Sequence, residues 1–222
     1  MAFGTSGARG LVTAMTDEVC FAYTASFLQY MASVGEFAPG MAVAFAGDLR
    51  ASTPRILAAC CVAIKAQGGL PMFCGYVPSP ALALHAYGLG IPSLMVTGSH
   101  IPDDRNGIKF NRAAGEVLKP DELGIKAQRV YIPAGLFDAA GSLVVQQQLP
   151  EIHDVSVAYV RRYVDFFGAE ALKGLRVGVY QHSGVGRDLL MTLLEALGVE
   201  VMPLARSVTF VPVDTEAVRP ED

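Results

Sequence analysis

The sequence predicts an α/β protein in which a mixed, mainly parallel sheet flanked by helices is followed by an incomplete second α/β unit. Short continuous apolar runs, which suit strands buried on both faces, alternate with segments whose apolar residues recur at helical spacing. The resulting β-α-β-α-β pattern is typical of parallel strands connected by helices. A chain of 222 residues is long enough for one complete domain and part of another.

The first two elements are a helix over residues 17–32 and a strand over residues 41–46. Aromatic and aliphatic residues recur at helical spacing in the helix, which indicates packing against a core. Asp17 and Glu18 lie in its first turn, where the helix dipole favours negative charge. The strand is a continuous apolar run that ends at Gly47.

A second helix is predicted to begin at Thr53-Pro54 and to end at Gly68-Gly69. Threonine is a favourable N-cap, proline suits the first helical position, and glycine commonly ends a helix. The other elements of this half are a strand over 70–74, a helix over 80–87 and a strand over 93–97.

A second α/β unit follows a surface connection that contains glycines, prolines and a run of glutamines. The later elements are a helix over 151–167, a strand over 175–180, a helix over 185–197, a strand from 200 to 203, an extended segment over 208–213 and a helix that begins at 214.

We assign residues 1–132 to a first domain, 133–150 to a linker and 151–222 to the start of a second domain. One strand–helix–strand unit buries too little surface for a finished domain, so we expect a longer protein.

The composition argues against several classes of protein. Hydrophobic residues make up 52% of the chain and charged residues 17%, as in a well-packed globular protein. The formal net charge of −4 and the lack of basic runs argue against nucleic acid as a partner. No apolar run reaches the roughly 18 residues that span a bilayer, and no signal peptide is recognisable at the N-terminus. We therefore expect no membrane partner.

The four cysteines have the character of core thiols. They lie in apolar stretches and lack both Cys-x-x-Cys spacing and nearby histidine ligands. We expect Cys20, Cys60, Cys61 and Cys74 to be unpaired and buried. Free thiols indicate a reducing, cytoplasmic compartment.

The loop after the strand over 93–97 carries the clearest chemical signal. Ser99 stands beside His100, and Lys109 returns on the segment that follows. A serine hydroxyl needs a neighbouring base or cation to act as a nucleophile, and a transferring phosphoryl group needs positive charge at its oxygens. Ligands bind at the carboxyl ends of parallel strands, so Ser99 is well placed for phosphoryl transfer.

The sequence pattern alone leaves other roles open for the polar residues of this loop and for His182. Ser99 can also serve as a turn residue, or belong to a Ser-His-Asp hydrolase triad, although no Gly-x-Ser-x-Gly segment surrounds it. Asp103 and Asp104 are more typical of a solvated loop than of a metal site. His182 follows a strand and precedes a helix, a geometry that can bind phosphate, but its glycine spacing matches no nucleotide-binding loop.

Four segments together resemble the phosphohexomutases, the phosphomannomutase and phosphoglucomutase superfamily. Residues 3–10 (Phe-Gly-Thr-Ser-Gly-Ala-Arg-Gly) are similar to its N-terminal signature, and residues 47–52 (Gly-Asp-Leu-Arg-Ala-Ser) to its Gly-x-Asp-x-Arg segment. Residues 97–102 (Thr-Gly-Ser-His-Ile-Pro) resemble its phosphoserine loop, and residues 106–109 (Asn-Gly-Ile-Lys) its Asn-Gly-x-Lys segment. The four segments occur in the order that the family has them.

The resemblance implies a mechanism for phosphate transfer. Ser99 would carry a phosphate, donate it to a hexose monophosphate and receive the other phosphate from the bisphosphorylated sugar. Hexose 6-phosphate and hexose 1-phosphate would thereby be interconverted. Mg²⁺ would bind at Ser99, with its remaining ligands expected beyond residue 222, and hexose 1,6-bisphosphate would act as activator.

The resemblance also implies roles for other residues of this chain. Lys109 would be the general acid/base, and His100 a proton carrier or a donor to the phosphate. Arg9 would hold phosphate through its planar guanidinium, with hydroxyls from Thr5 and Ser6. The alternatives are an exposed strand lysine, a loop histidine bonded to backbone and a surface arginine at a turn.

The chain departs from the family pattern in two respects. Ile101 stands where the family usually has Asn, but we expect the loop to fold because its serine, histidine and proline remain. The family's Asp-x-Asp-x-Asp metal loop, sugar-recognition domain and C-terminal phosphate-binding domain have no counterpart in residues 1–222. We therefore expect residues 1–222 to need the C-terminal domains of the same protein and to be inactive alone. Arg50 is expected to anchor Asp48 or nearby loops.

The sequence leaves the sugar of the substrate open. The loop sequence looks most like that of the phosphomannomutases, with glucose and glucosamine phosphates as alternatives. A hypothesis of another class is a non-catalytic, phosphate-binding or interaction half-protein, whose uncovered strands would favour association.

Overall fold

A computed structural model describes residues 2–4, 7–99 and 101–211. In chain order the elements are β1 (Ala2–Gly4), β2 (Gly7–Leu11), a 3-10 turn (Val12–Ala14), α1 (Asp17–Ser33), β3 (Ala42–Gly47), α2 (Thr53–Ala66), β4 (Leu70–Phe73), α3 (Ser79–Leu89), β5 (Ser93–Val96), β6 (Arg105–Arg112), β7 (Gly115–Glu116), α4 (Lys119–Lys126), α5 (Ser156–Phe167), β8 (Arg176–His182), α6 (Arg187–Ala196) and β9 (Glu200–Arg206).

The first seven strands form one mixed sheet, as predicted. Its order is β1-β2-β6-β5-β3-β4, with β7 paired to β6. Only the β-α-β-α-β unit is parallel, since β3 lies between β4 and β5 and runs parallel to both. The parallel part is smaller than predicted because β6 follows β5 after the short loop 97–104, which cannot make a parallel crossover. β6 therefore returns antiparallel and also pairs with β2.

Helices cover both faces of this sheet. On one face α1 and α2 bury a large apolar cluster, in which Phe27 of α1 stacks on Phe110 of β6 with ring centroids 4.7 Å apart. On the other face α3 packs against the sheet. Val155 and Leu189, from the later part of the chain, complete this second cluster. The second unit therefore shares a core with the α3 face of the first.

The predicted start of α2 is wrong in one detail. Thr53 is the first residue of the helix, and Ser52 is the N-cap without a capping side-chain hydrogen bond. The Thr53 hydroxyl instead donates to Asp48 Oδ1 at 2.6 Å. The threonine side chain thus binds the residue that follows β3 instead of capping the helix.

The helix predicted over 151–167 begins later, at Ser156. The residues before it are tied to the sheet, because His153 N donates to the Phe73 carbonyl at 2.8 Å and Val155 is buried. Asp154 Oδ1 accepts from Ser156 N at 2.8 Å, which supports the first turn. Tertiary contacts therefore keep residues 151–155 out of the helix.

Residues 133–150 carry no named helix or strand, but they pack on the first unit. Phe137 contacts the ring of Phe21 edge-on at 5.6 Å. Asp17 Oδ2 accepts from Leu143 N at 2.9 Å, and Glu18 N donates to the Gly141 carbonyl at 3.0 Å. The start of α1 thus anchors this segment. The domain boundaries at 132 and 151 stay a prediction.

The second unit is a small parallel sheet. β8 and β9 pair in parallel, with α6 connecting them. Of the predicted extended segment 208–213, residues 208–211 form no strand, and the rest lies outside the described residues, as does the helix predicted from 214.

The expectation for the cysteines is confirmed. All four are free and buried. Burial raises the pKa of the Cys60 thiol to about 12 and that of Cys74 to about 11, so both stay protonated. Among the described residues, no helix combines the length and apolar character needed to cross a bilayer.

An ion-pair cluster ties α1 and α4 to the end of β6. The Arg112 guanidinium contacts Glu36, and it donates to Asp121 Oδ1 at 3.0 Å. Tyr30 donates to the same Asp121 oxygen at 2.8 Å. Hydrogen bonds from Arg112 lower the pKa of Glu36, so the folded state favours its ionised form.

Arg112→Met is expected to reduce the free energy of unfolding by about 1–3 kcal/mol at pH 7, because two carboxylates lose their cation. The lowered pKa of Glu36 stabilises the folded state while the carboxyl group is ionised, and this stabilisation is lost as the group becomes protonated. The difference in the free energy of unfolding between variant and wild type should therefore shrink as the pH falls below about 4. Urea unfolding at pH 7 and pH 3.5 measures both. Arg176→Met is the control, because its ion pair with Glu200 is exposed. Equal losses in the two variants would contradict the prediction.

Candidate active site

Ser99 lies on a cleft that both units line. The loop that carries it begins at the carboxyl end of β5, as predicted. The cleft has a volume of about 400 Å³. From the first unit, the cleft is lined by residues after β3, at the start of α3 and along β5, and by Lys109. From the second unit, it is lined by the end of β8, the loop after it, and residues 210 and 211. A cleft of this size can hold a small-molecule ligand.

Asp48 joins the end of β3 to the serine loop. Its Oδ2 accepts from Gly98 N at 3.1 Å, and its Oδ1 accepts from Arg50 N at 3.1 Å and from the Thr53 hydroxyl. Arg50 Nε lies 3.3 Å from Oδ2. The carboxylate is thus fully engaged by the protein.

Arg50 organises the rest of the loop. Its side chain is buried, and its two terminal nitrogens donate to the carbonyls of Ser99 (3.3 Å), Ile101 (2.6 Å), Pro102 (2.7 Å) and Arg105 (3.0 Å). Burial lowers the pKa of this guanidinium, and the neighbouring Asp48 opposes that effect. The structural role expected for Arg50 is confirmed.

The loop backbone follows from this packing. A Cβ added to Gly98 would lie 2.3 Å from Arg50 Cζ, so only glycine fits there. Ser99 has a φ of 55°, which is uncommon for a residue other than glycine and is often found at functional sites. Ser99 N donates to Thr97 Oγ1 at 2.9 Å. Arg50 binds the carbonyl of Ile101 rather than its side chain, which explains how the loop accommodates isoleucine.

Two predicted cationic residues lie on the same face of the sheet. β2 pairs with β6 so that Gly7 is opposite Lys109 and Arg9 opposite Gly107. Lys109 and Arg9 are therefore diagonal neighbours, and they line a 170 Å³ cavity together with Thr97. Lys109 also lines the larger cleft. Arg9 belongs to β2 and not to a turn.

The structure adds residues that sequence reasoning missed or ranked low. Phe210 covers the Arg50 guanidinium, with 4.6 Å from Cζ to the ring centroid, and Val211 follows it along the cleft. No local signal marks Phe210, because its partner is far away in sequence. His182 and Ser183 line the cleft from the second unit.

The comparison with known sequences decides the family. Residues 1–129 match the family profile described as phosphoglucomutase/phosphomannomutase, alpha/beta/alpha domain I. The chain belongs to the phosphoglucomutase/phosphomannomutase family. The profile covers the strands and helices that build the Ser99 side of the cleft.

Individual relatives agree with this placement. The chain is 43% identical to phosphomannomutases from Sinorhizobium fredii, over 97% of this chain and 45% of that protein, and from Salmonella muenchen, over 99% and 44%. A crystal structure of a phosphoglucomutase/phosphomannomutase family protein from Burkholderia thailandensis superposes with a TM-score of 0.73 at 25% identity, covering 96% of this chain and 45% of that one. The chain therefore spans about 45% of the length of these relatives.

Three predicted site residues of this family member, Thr5, Ser6 and His100, lie outside the described residues, and their roles stay predictions. Asp103 and Asp104 are exposed, as expected for a solvated loop. Within the described part of the chain, no three acidic, histidine or cysteine side chains are grouped to hold a metal ion. Ser99 offers a single oxygen, so these residues by themselves do not make a Mg²⁺ site.

Arg50→Lys is expected to lower the free energy of unfolding by about 3 kcal/mol, because an ammonium cannot reproduce the fork that binds four carbonyls in a buried place. Amide exchange in residues 98–105 should accelerate, which hydrogen-exchange mass spectrometry measures alongside urea unfolding. The matched control is Arg105→Lys, because that side chain is exposed and only its carbonyl binds Arg50. Unchanged exchange in the Arg50 variant would rule out this role.

Proposed function

We propose that the protein acts in a phosphosugar mutase that interconverts hexose 6-phosphate and hexose 1-phosphate through a phosphoserine at Ser99. The observation that carries the proposal is the placement of Ser99 at a cleft that Lys109 also lines, in a member of this family. Ser99 has a strained backbone and follows the carboxyl end of β5, and ligands are commonly bound at the carboxyl ends of strands in such sheets.

The charge distribution favours a phosphorylated ligand. Asp48 is the acidic residue on the cleft, but its carboxylate is paired with Arg50 and accepts three further hydrogen bonds. Its charge therefore opposes an incoming phosphate only weakly. Lys109 and Arg9, on the other hand, present positive charge on the same face of the sheet. This arrangement stabilises the charge of a transferring phosphoryl group.

The proposed transfer is a single displacement at phosphorus. A hydroxyl oxygen of the hexose phosphate attacks the phosphorus on Ser99, and the bond from phosphorus to Ser99 Oγ breaks. The net proton movement is from the sugar hydroxyl to Ser99 Oγ. We assign this proton transfer to Lys109, with His100 as the alternative carrier. The bisphosphorylated sugar then reorients and returns its other phosphate to Ser99 by the reverse chemistry.

Mannose phosphates are the proposed substrates. The two relatives that are 43% identical over nearly the whole chain are phosphomannomutases. Glucose phosphates are the alternative within the family. Hexose 1,6-bisphosphate is the proposed activator, because it can phosphorylate Ser99. Mg²⁺ is proposed to bind the phosphorylated serine with ligands from the part of the relatives that this chain does not span, so residues 1–222 alone should turn over negligibly.

In the protein as purified from its source, Ser99→Ala should abolish turnover of mannose 1-phosphate, because the phosphate acceptor is lost. Wild-type protein treated with hexose 1,6-bisphosphate should gain one phosphate on the peptide that contains Ser99, as measured by intact mass and phosphopeptide mapping. Ser33→Ala, an exposed serine at the end of α1, is the control. Phosphate on another residue, or full activity in the Ser99 variant, would refute the phosphoserine mechanism.

Lys109→Met should lower kcat/KM for mannose 1-phosphate by about 10²- to 10⁴-fold, because the proton carrier is lost. The steady-state rate measures the effect, and circular dichroism checks that the fold is retained. Lys173→Met is the control, since that lysine makes only an exposed ion pair with Glu170. An equal, small effect in both variants would remove Lys109 from the mechanism.

A further inference from the structure

The last residue of β8 is a histidine that the second unit brings to the cleft. His182 is partly buried, lines the same cleft as Ser99 and Lys109, and has a φ of 49°. Its carbonyl accepts from Arg187 Nη1 at 3.0 Å, and the same nitrogen donates to the Ser207 carbonyl at 2.6 Å. The backbone of His182 is therefore held in a conformation that few residues other than glycine adopt.

The hydrogen bonds of Ser183 favour a proton on Nδ1 of His182. The Ser183 hydroxyl donates its only hydrogen to the Val211 carbonyl at 3.1 Å, and it accepts from Val211 N at 2.9 Å. Ser183 Oγ also lies 3.3 Å from His182 Nδ1. The Ser183 hydroxyl has one hydrogen, and the Val211 carbonyl can only accept, so we infer that Nδ1 is the donor in this contact. In this tautomer the imidazole has a lone pair on Nε2.

His182 Nε2 is then a hydrogen-bond acceptor at the cleft wall. Among the described residues, the imidazole makes its hydrogen bond through Nδ1, and Nε2 has no protein partner. An acceptor does not attract phosphate oxygens, which are acceptors too, but it complements a hydroxyl group. The cationic face at Lys109 and Arg9 suits the phosphate, and His182 suits the polyhydroxylated part of the same ligand.

We propose that His182 is a substrate-binding residue, whose Nε2 accepts a hydrogen bond from a ring hydroxyl of the hexose phosphate that reacts at Ser99. This assignment rests on the proposed mutase function. Ser183 and Val211 position the imidazole, and Phe210, the residue before Val211, packs on the arginine that holds the Ser99 loop. The two walls of the cleft are therefore connected through the segment 207–211, which sets the imidazole in place before the sugar arrives.

His182→Asn separates substrate binding from structural support. Asparagine tolerates a positive φ, and its amide can still donate to Ser183 Oγ, but it has no atom at the position of Nε2. In the protein as purified from its source, we expect KM for mannose 1-phosphate to rise about three- to tenfold, as for loss of one neutral hydrogen bond, with kcat changed less than twofold. His153→Asn is the control, because that exposed histidine lies next to His85, outside the cleft.

A spectroscopic measurement tests the same assignment without turnover. Long-range ¹H–¹⁵N NMR should find the His182 proton on Nδ1 in wild type, and the Nε2 signal should shift when mannose 1-phosphate is added. Ser183→Ala should abolish the preference for the Nδ1 proton.

Failure of the His182 assignment and failure of the mutase function give different results in these experiments. Wild-type turnover with an unchanged KM in His182→Asn, or a proton on Nε2, would overturn the role of His182 and leave the mutase intact. Wild-type protein that neither turns over hexose phosphates nor accepts phosphate on Ser99 would overturn the mutase proposal, and this inference with it.

Discussion

The buried pairing of Arg50 with Asp48 is the interaction on which the cleft depends. One guanidinium binds three backbone carbonyls of the loop between β5 and β6 and a fourth at the start of β6. One carboxylate binds the amide of Gly98 and the hydroxyl of Thr53. A loop with so many carbonyls pointing to one side needs a buried cation, because unpaired carbonyls away from water are costly. The conformation of Ser99 follows from this arrangement.

The same pairing shapes the electrostatics of the cleft. An unpaired aspartate beside the serine would repel a phosphate, but the hydrogen bonds to Asp48 and the charge of Arg50 compensate it inside the protein. Positive charge nearer to solvent comes from Lys109 and Arg9, which are joined across the β2–β6 pairing. The charges of Arg50 and Asp48 hold the loop, and those of Lys109 and Arg9 are left to bind a phosphate.

The second unit contributes to the site even though its described part holds only the strands β8 and β9. The end of β8, the loop after it and residues 210 and 211 line the cleft together with Ser99, and Phe210 contacts Arg50 directly. Val155 and Leu189 extend the core of the first unit. The cleft is therefore a property of both units together, and residues of one wall are fixed partly by the other.

Local patterns in the sequence determined the alternation of strands and helices, the burial of the cysteines and the position of Ser99 after a strand, because periodicity and turn residues act over a few positions. Tertiary structure alone decided the rest. Thr53 binds Asp48 instead of capping its helix, His153 donates to the Phe73 carbonyl of β4, and strand register places Arg9 beside Lys109. His182 and Phe210 reach the Ser99 loop only through folding, since contacts between distant segments depend on packing geometry that no local pattern encodes.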